Sequence, residues 1–250
     1  MPPIARHHMT RSVRRWRLAL PIAIALTATA SVSVGRAQNP APAPPATPAP
    51  RPPAPSLTRP TSSPKPPNAD GFLQRWLLLE PQPVSGQLTE AAVRAAVTTD
   101  EFRSQLTALP RAGDTVKAGN AQLAWHAVDT VAYNVNLYHF AYALNKPTSN
   151  VLFSVATVVH APRELTGVRL AIGSNAASIW WVNGQQVIGI YNDRQTVIDD
   201  GVSKRLTLKQ GPNVIRGAIL NAGGATDFCV RFLDSDNRPL KGITVSLTER

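Results

Sequence analysis

From about Val116 onward, apolar residues arrive in short dense runs separated by small, polar or glycine-containing breaks. Val151 to His160 is one such run, Val168 to Ile172 is another, and Phe228 to Leu233 and Gly242 to Leu247 close the chain. Runs of this length, rich in β-branched and aromatic side chains and bounded by turn formers, predict strands. Asn183-Gly184 falls between Ser178-Ile179-Trp180-Trp181-Val182 and Gln185-Gln186-Val187 and supplies the two positive-φ positions of a type I′ hairpin. Ala118-Gly119-Asn120 turns another hairpin, and Asp234-Ser235-Asp236-Asn237 a third, because Asp and Asn side chains cap local backbone groups. Earlier in the chain, Phe72 to Leu79 predicts a strand ended by Glu80-Pro81-Gln82-Pro83. Thr89 then caps an Ala-rich helix through Val97, and Thr99-Asp100-Glu101 caps a further turn. Strand and helix do not alternate and no internal repeat is visible. The expected fold class is therefore all-β, an antiparallel jelly-roll β-sandwich with one or two short helices near its N-terminal edge.

The hairpin is followed by Leu206-Thr207-Leu208-Lys209-Gln210-Gly211-Pro212-Asn213-Val214-Ile215, a strand, a glycine–asparagine turn and a second apolar strand. Together the two stretches spell W-x-N-G-x-x-V and L-x-x-G-x-N-x-I. This pair resembles the pattern of the galactose-binding-like jelly-roll domains that accompany secreted glycoside hydrolases and carbohydrate esterases. The longer stretch from Phe72-Leu73-Gln74-Arg75-Trp76 through Arg231-Phe232-Leu233-Asp234 is similar to chains grouped with acetylxylan esterases. The resemblance covers about Phe72 to Leu247. It implies a β-sandwich in an exported, carbohydrate-related setting and makes an esterase the reaction class to test first. It also implies a structural calcium, for which Asp199 and Asp200, with Asp193 nearby, are the candidate ligands.

The N-terminal third has a different character. Arg11, Arg14, Arg15 and Arg17 precede a largely apolar run of small residues from Leu18 to Val34, and Gly35 and Ala37 suit cleavage before Gln38. Ala28-Thr29-Ala30 offers an earlier cut. Arg17 interrupts the stretch that a twin-arginine signal requires, so Sec export fits better. The run falls just short of the ~20 residues of a membrane-spanning helix. Residues 1–37 thus read as an export signal, with an uncleaved inner-membrane anchor as the alternative, and the location as periplasmic or extracellular. No cysteine near the cut allows a lipoprotein. Residues 38–69 follow as a spacer, since thirteen of the 23 prolines fall there. Such a segment favours polyproline II at ~3.1 Å per residue and reaches roughly 90 Å. The folded domain is expected over 70–250.

Charge follows the same division. Nine of the 26 Lys and Arg residues, and no acid, lie in residues 1–68, so the formal net charge of +11 belongs mostly to the leader and spacer. The remainder is nearly balanced and offers no clustered basic face, which argues against a nucleic-acid partner. Cys229, the single cysteine, excludes a disulfide within the chain, and Phe228-Cys229-Val230 reads as a buried strand position.

Catalytic signatures are missing. There is no G-x-S-x-G elbow, no G-D-S block, no D-x-x-H pair and no H-E-x-x-H. Ser174 in Gly173-Ser174-Asn175 is the nearest imitation of a nucleophile and suits a strand-end turn. His126, His139 and His160 each stand in apolar, strand-like surroundings that favour a structural role. No catalytic residue is therefore assigned. A sugar site instead pairs an aromatic platform with hydrogen-bonding side chains. Candidates are Trp125 and His126; Trp181, which points away from Trp180 on a strand; the loop Tyr191-Asn192-Asp193-Arg194; and Asn221 with Asp227. The resulting expectation is an exported, non-catalytic module. It binds a polysaccharide, another glycan or an envelope protein, touches a membrane only through an uncleaved leader, and needs no cofactor beyond the structural calcium. An acetylxylan-type esterase with an unfamiliar site is the alternative.

Overall fold

The apolar runs become strands, and in the computed structural model, which describes residues 57–97 and 109–249, every strand pairing is antiparallel. A large sheet runs in the order β1 (Leu57–Thr58), β5 (Ala121–Thr130), β2 (Arg75–Leu79), β7 (Val151–Ala161), β13 (Gly211–Asn221), β9 (Ala177–Val182) and β10 (Gln185–Ile190). Three short strands join it: β3 (Gln82–Pro83) and β15 (Thr244–Ser246) on β7, and β4 (Thr115–Ala118) on β5. A smaller sheet runs β11 (Gly201–Val202), β8 (Leu165–Ser174), β14 (Asp227–Leu233) and β6 (Val135–Asn136), with β12 (Leu206–Leu208) also on β8. The chain is thus an all-β antiparallel sandwich. The leader and the turn expected at Thr99-Asp100-Glu101 lie outside the described residues.

One apolar interior joins the sheets, with Trp76, Phe153, Trp180 and Ile215 from the large one against Leu170, Ile172, Phe228 and Phe232 from the small one. Its centre is aromatic. The Phe228 ring lies 5.0 Å from Trp76 and 5.4 Å from Trp180, and the two indoles meet edge to face at 6.2 Å. Each buried indole N–H finds an acceptor, Trp76 on the Leu73 carbonyl at 2.8 Å and Trp180 on the Ser178 hydroxyl at 3.0 Å, so burial strands no polar group. Gly217 pairs with Trp180 across the strands, and a Cβ there would sit 2.5 Å from the ring. The indole therefore requires the glycine.

The outer face of the large sheet is also covered. Helix α1 (Glu90–Val97) starts where Thr89 accepts from the Ala92 N–H at 3.3 Å, as the capping pattern predicts. Its Val93 and Val97 pack on Ile179, Trp181, Ala218 and Leu220. Alternation does send Trp180 and Trp181 to opposite faces, yet both are buried, one between the sheets and one in the cluster with α1. A second helix, α2 (Leu137–Ala143), replaces the strand expected around His139. Asn136 caps it, accepting from the His139 N–H at 2.7 Å, while Leu137, Phe140 and Ala141 face inward.

Residues 57–68, assigned to the spacer by their prolines, run along the sandwich. Leu57 pairs with Thr130 at the sheet edge, and Lys65, between Pro64 and Pro66, exchanges backbone hydrogen bonds with Val245. Arg75, 1% exposed, anchors this segment from below. Its guanidinium holds both Asp129 oxygens at 2.9 and 3.0 Å and also donates to the Thr61 hydroxyl and the Ser63 carbonyl. Lys65 adds a second cation on Asp129 at 3.1 Å.

Gly217→Ala drives a methyl group into the Trp180 ring and is expected to destabilise the fold by about 1–3 kcal/mol. Urea unfolding reads this directly, and an unchanged midpoint would contradict the seating of Trp180 over this strand.

Candidate functional site

The two motif stretches meet in space. Asn183 (φ 50°) and Gly184 (φ 78°) form the expected positive-φ turn between β9 and β10. Asn183 then grips the start of β13: its N–H donates to the Val214 carbonyl at 2.8 Å and its Oδ1 accepts from the Val214 N–H at 2.9 Å. Its Nδ2 donates to Oδ1 of Asn213 at 2.9 Å. Asn213 has no solvent exposure and is fully engaged. Its Oδ1 also accepts from the Lys209 N–H at 3.0 Å, and its Nδ2 donates to the carbonyls of Lys209 and Gly211 at 2.9 and 3.1 Å. A buried carboxamide with every valence used fixes the turn before β13 and the hairpin beyond it.

Beside this clasp lies an open groove of about 620 Å³ between the β9–β10 hairpin and the segment that leads into β12. The hairpin contributes the carboxamides of Asn183, Gln185 and Gln186, and the opposite wall contributes Lys204, Arg205 and the Thr207 hydroxyl. Val182, Val187 and Leu206 supply apolar lining. The register of β10 slips between Gln186 and Ile188, an irregularity of the kind that re-aims side chains at a sheet edge. The Lys204 wall is pinned from behind by Ser203, which is buried. Its N–H donates to the Leu170 carbonyl at 2.9 Å, and its hydroxyl accepts from the Leu170 N–H at 2.9 Å and donates to the Lys204 carbonyl at 2.7 Å. Arg205 is steadied by the Gly167 and Ser235 carbonyls at 2.9 and 3.1 Å.

The residues singled out in the sequence do not converge. Trp125 is 1% exposed in a side cluster with Leu77, Leu79 and Leu123, so its ring faces are spent on packing. Trp181 is 7% exposed in the cluster with α1. Asn221 is buried at the end of β13, where it donates to the Thr148 carbonyl at 2.7 Å and accepts from the Gly223 N–H at 3.1 Å, a loop-bracing role. Asp227 holds the side chains of Asn134 and Thr196. Asn192 and Asp193 are exposed. Arg194 pairs with Asp200, and its carbonyl accepts from the Ala176 N–H, which ties the 191–196 loop to the turn between β8 and β9. Trp181 pairs across the strands with the groove residue Gln186, and Tyr191 is linked to the same residue through Arg94. Arg94 stacks 5.1 Å from the Tyr191 ring and donates to Gln186 at 3.2 Å.

Asp199 and Asp200 do not fit a calcium ion. Arg231 takes both oxygens of Asp199 and Arg194 takes Asp200, so each carboxylate already faces a cation. Among the described residues no group of three or more His, Cys, Asp or Glu side chains is placed to hold a metal.

The histidines stand on three different elements: His126 on β5, His139 on α2 and His160 on β7. His160 Nε2 lies 2.8 Å from the Ser246 hydroxyl, the one serine–histidine contact of hydrogen-bond length among the described residues. It also lies 3.2 Å from the Thr248 carbonyl, and Ser246 donates to that carbonyl at 2.6 Å. A carbonyl only accepts, so Nε2 carries the proton and Ser246 directs its own proton away from the imidazole. That tautomer is the wrong one for a general base. Ser174 ends β8 with its hydroxyl buried and, among the described residues, unpartnered. Burial pushes the Cys229 thiol up to about 12, leaving it protonated and unreactive.

His126 belongs to a charged cluster at the β2 end. Lys146 reaches Glu80 at 2.9 Å and His126 reaches it at 3.3 Å. Burial alone would raise the Glu80 carboxyl, but the hydrogen bonds from Lys146 and His126 outweigh it and hold the group below its ordinary 4.5. A depressed folded value means that the unfolded chain binds the proton more readily. The Glu80 contribution to stability is therefore complete above the ordinary value and fades as pH falls through the lower folded one.

Sequence reasoning missed Gln185, Gln186, Lys204, Arg205 and Thr207 as a set. The turn chemistry marks the hairpin, but nothing local pairs it with a wall some twenty residues further on.

No family model matches the chain, and no curated protein matches it. Several solved structures are similar at low identity. The PA14 sugar-binding domain from an RTX adhesin is 13% identical with a TM-score of 0.42, covering 67% of this chain and 94% of that one. The epithelial adhesin 9 A domain of Candida glabrata, in complex with Galb1-4GlcNAc, is 14% identical with a TM-score of 0.38, covering 76% and 96%. The PA14 domain of the antifreeze protein MpAFP is 14% identical with a TM-score of 0.38, covering 65% and 89%. Among the described residues no helix is long and apolar enough to cross a membrane.

Glu80→Gln is expected to lower stability most at neutral pH and least below about pH 4. Denaturant unfolding of both proteins across pH checks it, and a constant gap down to acid pH would contradict the depressed carboxyl.

Proposed function

We propose that this chain is an exported, non-catalytic module that binds a saccharide in the groove between the Asn183-Gly184 hairpin and the Lys204–Thr207 wall. The observation that carries the reading is the lining itself: the carboxamides of Gln185 and Gln186 and the Thr207 hydroxyl stand beside apolar surface, with no carboxylate and no nucleophile–base pair. A carboxamide offers a donor and an acceptor side by side, which is what a pair of vicinal sugar hydroxyls requires. The faces of Val187 and Leu206 suit the C–H surface of a pyranose. The volume falls within the ~300–1,000 Å³ usual for small-ligand sites. The hairpin is held by the buried Asn213, so little order remains to be imposed on binding.

The leader and the proline-rich stretch before Leu57 complete the reading. Export delivers the domain to the periplasm or beyond. The spacer lets it reach polysaccharide at a distance from whatever holds its N-terminus.

Replacing Gln185 and Gln186 together by Ala is expected to weaken saccharide binding roughly tenfold, as the loss of one or two hydrogen bonds worth about 0.5–1.5 kcal/mol each implies. Calorimetric titration with the best binder from a polysaccharide screen measures this, alongside an unchanged melting temperature. Equal affinity in the double variant, or no binder in the screen, would overturn the proposal.

A further inference from the structure

The charge of the groove narrows its ligand class, an inference that rests on the saccharide reading above. We infer that the groove selects saccharides bearing anionic groups, such as uronates, over their neutral counterparts.

Two cations, Lys204 and Arg205, stand next to each other in the lining, and no acid lines the groove with them. Elsewhere on the sandwich five basic side chains meet a carboxylate, Arg75 on Asp129, Arg94 on Glu90, Lys146 on Glu80, Arg194 on Asp200 and Arg231 on Asp199, while the two cations of the groove do not. Lys204 has no carboxylate partner among the described residues, and the two groups that steady Arg205 are neutral carbonyls. Those carbonyls orient the guanidinium without cancelling its charge, and the remaining N–H donors stay available to a planar carboxylate. The feature is local. Most of the net +11 lies in the leader and spacer, and the rest of the chain is nearly balanced, so the positive wall is not a by-product of bulk charge.

The wall is also built before any ligand arrives. Buried Ser203 ties Lys204 and the strand behind it through Leu170, and Arg205 spans the Gly167 and Ser235 carbonyls. A charge presented on a fixed backbone costs little ordering when it is used. Facing it, Gln185 and Gln186 offer neutral donors and acceptors for ring hydroxyls. One wall thus reads the sugar and the other reads its acid group.

The test is a matched pair of probes on the full chain: oligogalacturonate, and the same oligomer with every carboxyl methyl-esterified. Alginate oligomers and neutral β-galactan serve as a second pair. The acidic member of each pair is expected to bind about tenfold more tightly at low salt. That advantage should shrink severalfold as salt rises past roughly 0.2 M, since exposed charges are screened. Lys204→Gln, a change at an exposed position, should lower affinity for the acidic member severalfold more than affinity for the ester and so remove a large part of the preference, with an unchanged melting temperature showing that the fold is kept. Lys204→Arg should restore it. Arg205→Gln with Lys204→Gln should bring acid and ester within about twofold. Equal binding of acidic and neutral members by the natural chain would overturn the charge inference and leave the saccharide reading standing. Silence with all four probes and across neutral polysaccharides would overturn both.

Discussion

The buried carboxamide of Asn213 is the contact on which the rest of this end of the molecule depends. It lies where no water reaches, so each of its hydrogen-bonding positions must be answered by protein. The answers come from Lys209, Gly211 and Asn183, which stitch the turn before β13 to the tip of the β9–β10 hairpin. Asn183 returns the grip through two bonds to Val214. These bonds hold the start of β13 in register with the hairpin, where a slip of one residue would turn its side chains to the wrong face. The groove inherits its rim from that constraint.

A second constraint is that the large sheet is buried on both faces. Its inner face packs on the small sheet, and its outer face clusters with α1 and, further along, carries a second apolar cluster of Leu77, Leu79, Leu123 and Trp125 joined by Leu109, Val116 and Leu247. This explains why so many aromatic residues end as core. The chain has to cover two faces with few helices, and Trp76, Trp125, Trp180 and Trp181 are its largest fillers. It also explains the buried Arg75. At the β1 edge the covering element is the proline-bearing segment after Thr58, which has little apolar surface, and Arg75, itself held by Asp129, binds it through Thr61 and Ser63. Removing one partner of such a pair leaves a buried charge uncompensated, which typically costs about 3–5 kcal/mol.

What the sequence disclosed follows the range over which each cue acts. Asn183-Gly184 and Thr89 act within a few residues, so the hairpin and α1 were legible in full. Alternation placed Trp180 and Trp181 on opposite faces but could not say that both faces were covered, because the cover comes from residues 90–97 and from the other sheet. Helix α2 was hidden since Tyr138, Phe140 and Tyr142 favour strands in isolation; the cap at Asn136 was its one local sign. The spacer reading rested on proline content, which does not reveal that Thr61, Ser63 and Lys65 have partners on the sandwich. Polar loops drew notice as ligand sites, yet Asn221, Asp227, Asp199 and Asp200 spend their polarity on the chain itself. The groove escaped notice for the opposite reason. Its carboxamides and cations are unremarkable alone and meet only through a register slip in β10 and the fixed path of Ser203.

The most direct measurement is a side-chain carboxamide map by NMR, following the NH₂ resonances of Asn and Gln as an acidic oligosaccharide is added. The signals of Gln185 and Gln186 are expected to move first and furthest, while those of the buried Asn221 remain still. Shifts centred instead on Asn192 and the Tyr191–Arg194 loop, with the Gln185 and Gln186 signals unmoved, would contradict it.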